Sequence, residues 1–217
     1  MTVVLILGLL SLISVPLTSA DQIFVRPSEN TPCLSDVCYL LPHILQNATE
    51  YLTSNTVVTL TSGHYLVNEN ILVVISDVRN LTLMGSNLSS TFIVCSEQFG
   101  LVFSNVAGLF ISNLSFFNCS QQIPSTANPI GLTINYSNVT LINTSFINLV
   151  GSSIHTLHSN VKLLGVTVFN GIRCDLGCGI SAYSSNVEFL GTAAFQNNTC
   201  SFGCGIAAIS HSVKVQI

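Results

Sequence analysis

The chain has 217 residues, with 5 Lys+Arg, 9 Asp+Glu and a formal net charge of −4. Only 6% of residues are charged, against about 25% in an ordinary soluble domain. Five basic residues cannot build a phosphate-tracking patch, which excludes a nucleic-acid binder, and a 48% hydrophobic content excludes a disordered chain.

Residues Thr2 to Pro16 are almost wholly apolar, and small residues at Thr18 and Ala20 precede Asp21. The run is shorter than the roughly 20 residues that a membrane-spanning helix needs. It reads as a signal peptide over residues 1–20, although no Lys or Arg precedes it. The mature chain is expected to be secreted or displayed on the extracellular surface, with no membrane span.

Residues 21–56 form a distinct N-terminal segment. In Leu40 to Leu52, the positions Leu41, Ile44, Leu45, Tyr51 and Leu52 fall near one face at helical spacing. Pro42 suits a first helical turn. A short helix here is expected to cap the fold that follows.

From residue 57 onward the chain repeats itself. LFISNLSFFN from Leu109, VTLINTSFIN from Val139, VKLLGVTVFN from Val161 and VEFLGTAAFQ from Val187 share a pattern of aliphatic, polar, Asn/Gly and aromatic positions. LTLMG from Leu81 and VKV from Val213 extend the column of starting residues. Successive starts lie 28, 30, 22, 26 and 26 residues apart. A second column is expected at Val102, Leu132, Ile154, Ile180 and Ile206. Alternation over about five residues is the period of a half-buried strand, and Asn and Gly mark the turns. Short strands repeating near 26 residues predict an all-β fold, a parallel β-helix over residues 57–217 with coils of about 22–30 residues. A leucine-rich solenoid is disfavoured because its Leu-x-x-Leu-x-Leu signature is missing. The Asn or Gln at the tenth place (Asn118, Asn148, Asn170, Gln196) is expected to form an amide ladder between coils. The last strand stops at Ile217 with no cap, so the chain reads as truncated within a longer β-helix.

Eight cysteines, Cys33, Cys38, Cys95, Cys119, Cys174, Cys178, Cys200 and Cys204, stand behind the signal peptide. An even number in that setting points to disulfides. Cys174 could pair with Cys178 across a turn or with Cys200 one coil on, and Cys95 with Cys119 between neighbouring coils. Local pairing is preferred for the three short-gap pairs. Gaps of three and four residues depart from the usual zinc spacing. Asn-X-Ser/Thr glycan acceptors occur at Asn47, Asn80, Asn87, Asn113, Asn118, Asn135, Asn138, Asn143 and Asn197.

Gly177-Cys178-Gly179-Ile180, Gly203-Cys204-Gly205-Ile206 and Phe195-Gln196-Asn197-Asn198 resemble the Gly-Gly-Ala-Ile and Phe-x-x-Asn motifs of polymorphic outer-membrane protein repeats. Those repeats form right-handed parallel β-helices. The segment Asp21 to Val67 is similar to one that follows the signal peptide in large secreted β-helix proteins of marine invertebrates. This second resemblance spans nearly the whole chain and implies secretion and a pectin-lyase-like fold. It implies no established activity.

Enzymes on such folds need a site. The acidic residues Asp21, Glu29, Asp36, Glu50, Glu69, Asp77, Glu97, Asp175 and Glu188 form no close pair in sequence, whereas a glycosidase needs two facing carboxylates. Lys162, Glu188 and Lys214 read as an outward, mutually paired column, and Arg173 with Asp175 as a solvated turn pair. His155 and His158 are three apart on a strand and face opposite sides; His43, His64 and His211 are isolated. No catalytic residue, metal site or cofactor is therefore expected. The reading is a non-enzymatic extracellular β-helix protein for adhesion, matrix or ligand display, with an extracellular protein or carbohydrate as partner. The alternative is a polysaccharide lyase or glycoside hydrolase on the same fold.

Overall fold

The structure, a computed structural model, describes residues 21–31, 38–67, 72–95, 100–119, 130–209 and 213–215. The signal-peptide reading, Cys33 and His211 therefore lie outside the described residues. The chain opens with β1 (Asp21–Arg26), β2 (Tyr39–Leu40), α1 (Leu41–Gln46) and α2 (Ala48–Tyr51). Then come β3 (Thr56–Leu60), β4 (Gly63–Val67) and β5 (Leu72–Ser76), followed by β6 (Arg79–Gly85), β7 (Thr91–Cys95) and β8 (Gly100–Ser104). Next are β9 (Ala107–Phe117), β10 (Ile130–Asn135), β11 (Asn138–Ile147) and β12 (Ser152–Leu157). The last coils are β13 (Asn160–Asn170), β14 (Arg173–Leu176), β15 (Ile180–Tyr183), β16 (Asn186–Gln196), β17 (Thr199–Phe202), β18 (Ile206–Ile209) and β19 (Val213–Val215).

Every strand pairing is parallel, and from β3 onward strands pair with neighbours one coil away, so the fold is the all-β parallel solenoid expected. One sheet runs β19-β16-β13-β11-β9-β6-β3-β1-β2, with β4 and β7 joined to it through β9. A second runs β18-β15-β12-β10-β8-β5, and β14 and β17 form a small third. The column Leu81, Leu109, Val139, Val161, Val187, Val213 is in register throughout. The second column needs one correction: Leu132 pairs with Leu101, and Val102 pairs with Thr133. Leu101 is buried, so it and not Val102 points inward from β8.

The corners follow from backbone sterics. Of the twelve described non-glycine residues with positive φ, eight are Asn, the residue that best tolerates the left-handed region after glycine. Asn113 (φ 54°), Asn143 (φ 49°) and Gly165 (φ 66°) bend β9, β11 and β13 at the same place. This bend shifts the register: Ile142 pairs with Leu164, but Thr144 pairs with Thr167. Gly165 and Val166 thus occupy the space of Asn143 alone.

That extra residue moves two columns out of the ten-residue alignment and corrects the expected amide ladder. The stacked aromatic column is Phe116, Phe146, Phe169 and Phe195, with centroids 5.2, 5.4 and 4.9 Å apart and rings within 9° of parallel. It takes the eighth place in two repeats and the ninth in two. The tenth-place residues likewise do not form one ladder. Asn118, Asn148, Gly171 and Asn197 share the corner conformation, while Asn170 pairs with Ile147 on the strand before it. Amide bonds between coils do occur, one of them at tenth-place Asn170: Asn197 donates to Asn170, Asn143 to Asn113, Asn80 to Asn55 and Asn160 to Asn138.

The predicted helix is two short ones, divided at Asn47 (φ −112°, ψ 38°). Pro42 does lie in the first turn of α1. Leu41, Ile44, Leu45 and Leu52 share the apolar interior with Val58, Leu60, Ile75 and Leu83.

Candidate functional site

The six-stranded sheet sends alternate side chains inward and outward. Its inward columns carry Val73, Leu101, Leu132, Ile154 and Ile180, and Ile75, Phe103, Ile134, Thr156 and Ala182, all buried. One outward column carries Val74, Val102, Thr133, His155 and Ser181; the other carries Ser76, Ser104, Asn135, Leu157 and Tyr183. The corner beyond holds Asp77, Asn105, Tyr136, His158 and Ser184, all with positive φ.

Two ring pairs mark this face. Tyr136 is 60% exposed and stacks on His158 one coil away, with centroids 5.1 Å apart and a 22° interplanar angle. The shared corner conformation brings these rings together. His155 meets Tyr183 at 5.2 Å and 45°. Thr133 and Ser181, its register neighbours, are buried. Burial holds the His155 imidazole below its ordinary pKa. Asp77 is the one acidic residue in these columns, and its carboxylate accepts from the Asn105 amide. The face is thus nearly uncharged, with aromatic surface beside hydroxyl and amide groups.

The two histidines engage different tyrosines. Neither ring pair is visible in the local sequence, because each partner comes from another coil. The register could have found them, since Tyr136-Ser137-Asn138-Val139 and His158-Ser159-Asn160-Val161 repeat in phase.

The other histidines have local partners. His43 stacks parallel to Tyr39 at 6.1 Å, and its Nε2 lies 3.1 Å from the Tyr51 hydroxyl. His64 lies against Phe92. Lys162 and Glu188 sit in register with their charged atoms 3.9 Å apart, and Lys214 follows Glu188 in the same column. Arg173 and Asp175 are both exposed on β14, two residues apart and so on one side of the strand. Among the described residues, no group of three or more His, Cys, Asp or Glu side chains could hold a metal ion.

Cys95 is bonded to Cys119 one coil later, with Cα atoms 4.8 Å apart. Cys174 is bonded to Cys178 and Cys200 to Cys204, each within its own coil. Cys174 and Cys200 nonetheless lie in register on β14 and β17. Cys38 is also disulfide-bonded. Among the glycan acceptors, Asn80, Asn87, Asn118, Asn138 and Asn197 are exposed, and Asn47, Asn113, Asn135 and Asn143 are half-buried.

No protein-family model matches the chain, and no curated protein matches it. Among solved structures, one similar in fold is described as a "putative glycosyl hydrolase" from Parabacteroides merdae ATCC 43184. The two share 13% identity and a TM-score of 0.44, covering 82% of this chain and 95% of that one.

Proposed function

We propose that this chain is an extracellular β-solenoid that binds a neutral glycan along the outer face of its six-stranded sheet and displays it without turnover. One observation carries the reading: the ring pairs Tyr136–His158 and His155–Tyr183 on a nearly uncharged face. Aromatic faces offer apolar surface to the C–H side of a sugar ring. Neighbouring hydroxyl and amide groups of Ser104, Asn105 and Asn135 offer donors and acceptors to its hydroxyls. The disulfides fit an oxidising compartment, and no described helix is long and apolar enough to cross a membrane. In this reading residues 1–20 are the leader, 21–56 the capping segment and 57–217 the β-helix.

The test is retention on insoluble neutral polysaccharides and on a glycan array, for the wild type and for Tyr136→Ala. Retention that falls at least tenfold in the variant supports the reading. Equal retention of both proteins, or none of either, overturns it. Release of new reducing ends or unsaturated sugars would replace binding with the alternative, a lyase or glycoside hydrolase. The exposed Arg173 and Asp175 would then be the first charges to substitute.

A further inference from the structure

The fold itself explains the position of most of the Asn residues in the Asn-X-Ser/Thr tripeptides. Asn80, Asn113, Asn118, Asn143 and Asn197 all occupy left-handed corners, with φ between 49° and 56°. Asn suits such a corner, because its short polar side chain tolerates the left-handed region. The Asn of these tripeptides is therefore placed by the corner and does not by itself report a modified residue. The side-chain environment separates the acceptors instead.

Asn138 and Asn143 lie five residues apart on β11 and differ sharply. Asn143 is half-buried at the bend, and both ends of its amide are engaged. Its Nδ2 donates to Asn113 Oδ1 at 3.2 Å, and its Oδ1 accepts from the Val166 N–H at 3.1 Å. Gly165 packs so closely that a Cβ there would strike Asn143 Oδ1. A glycan on Asn143 would have to enter the ladder, so a chain carrying one could not close these coils. Asn113, the acceptor in that ladder, is half-buried beside it. Asn138 is exposed at the start of the strand, and among the described residues only its Oδ1 is engaged, by Asn160. Asn87 is exposed in a turn where its Oδ1 accepts from the N–H and hydroxyl of Ser89, both at 2.9 Å. Asn118 is exposed just after β9.

We propose that Asn87, Asn118 and Asn138 carry N-linked glycans in the folded protein, while Asn113 and Asn143 stay bare. The donor is a lipid-linked oligosaccharide. The Asn Nδ2 forms a bond to C1 of the sugar, the bond from C1 to the lipid diphosphate breaks, and one Nδ2 hydrogen leaves as a proton. The inference rests on the extracellular reading of the chain.

The test supplies a strong heterologous leader to residues 21–217 and expresses them in a eukaryotic secretory cell line. The protease-resistant secreted fraction is deglycosylated enzymatically in heavy-oxygen water, and each Asn-to-Asp conversion is mapped by mass spectrometry. Marks at Asn87, Asn118 and Asn138, with none at Asn113 or Asn143, are the expected result. A mark at Asn143 in the folded fraction, or an unmarked Asn138, overturns the proposal. Two variants give an independent readout on a gel: Asn138→Gln should lose one glycan, and Asn143→Gln none. If residues 1–20 fail to export the chain while the supplied leader yields this pattern, the extracellular reading falls and the glycan assignment stands.

Discussion

The hydroxyl of Ser159 accepts a hydrogen bond from the backbone N–H of Ser137, one coil earlier, at 3.1 Å. It also lies 2.8 Å from the Leu157 carbonyl, to which it donates. Ser185 does the same for the Ser159 N–H, and Ser137 for the Val106 N–H. All three serines are buried. The corner turns the chain away from the sheet ladder, so these N–H groups would otherwise be orphaned. Ser159→Ala leaves the Ser137 N–H buried without its partner and should cost about 1–3 kcal/mol. Equilibrium denaturation checks this, and an unchanged midpoint would show that the ladder contributes nothing.

The stacked phenylalanines set the interior of the later coils. Phe146 is buried between Phe116 and Phe169. Phe146→Ala should destabilise by about 3–5 kcal/mol, through lost transfer energy and the cavity left behind. Phe146→Leu keeps most of the volume and should cost clearly less. Denaturant midpoints of the two variants, compared with wild type, decide the point.

Thr156 presents the opposite case. It occupies an inward column between Ile134 and Ala182. Its Oγ1 is buried and finds no hydrogen-bond partner among the described residues. Val has nearly the same shape without the hydroxyl. Thr156→Val should therefore raise stability by about 1 kcal/mol, because it removes an unsatisfied buried group. Its sign is opposite to that of Ser159→Ala, although both substitutions delete a buried hydroxyl. A loss of stability in T156V would mean that the hydroxyl has a partner after all.

The sequence made the coil period legible because one inward aliphatic residue per coil is enough to mark it. Leu109, Val139, Val161 and Val187 keep strict register, since the interior accepts no slip there. Past the bend the reading loses phase. Asn143 in one coil is replaced by Gly165 and Val166 in the next, and a ten-residue alignment cannot show that a bulge absorbs the difference. The candidate face was less legible than the core. Tyr136 and His158 are 22 residues apart, and their contact depends on both adopting a left-handed corner, a conformation that a bulky Tyr rarely takes.

His155 gives this face a pH dependence with a definite sign. Its imidazole is largely buried among Thr133, Ser181 and Tyr183, and desolvation lowers its pKa from the ordinary value of about 6.5. The unfolded chain therefore binds a proton at a higher pH than the folded one. The contribution of His155 to stability is fully present above about pH 6.5 and is lost as the pH falls from there through the lower folded-state pKa. Acidification should weaken the fold, and His155→Phe should flatten that limb of the stability–pH curve. NMR titration of the His155 imidazole checks the cause directly: it should titrate below the ordinary value of about 6.5, and a value at or above it would refute desolvation as the dominant effect.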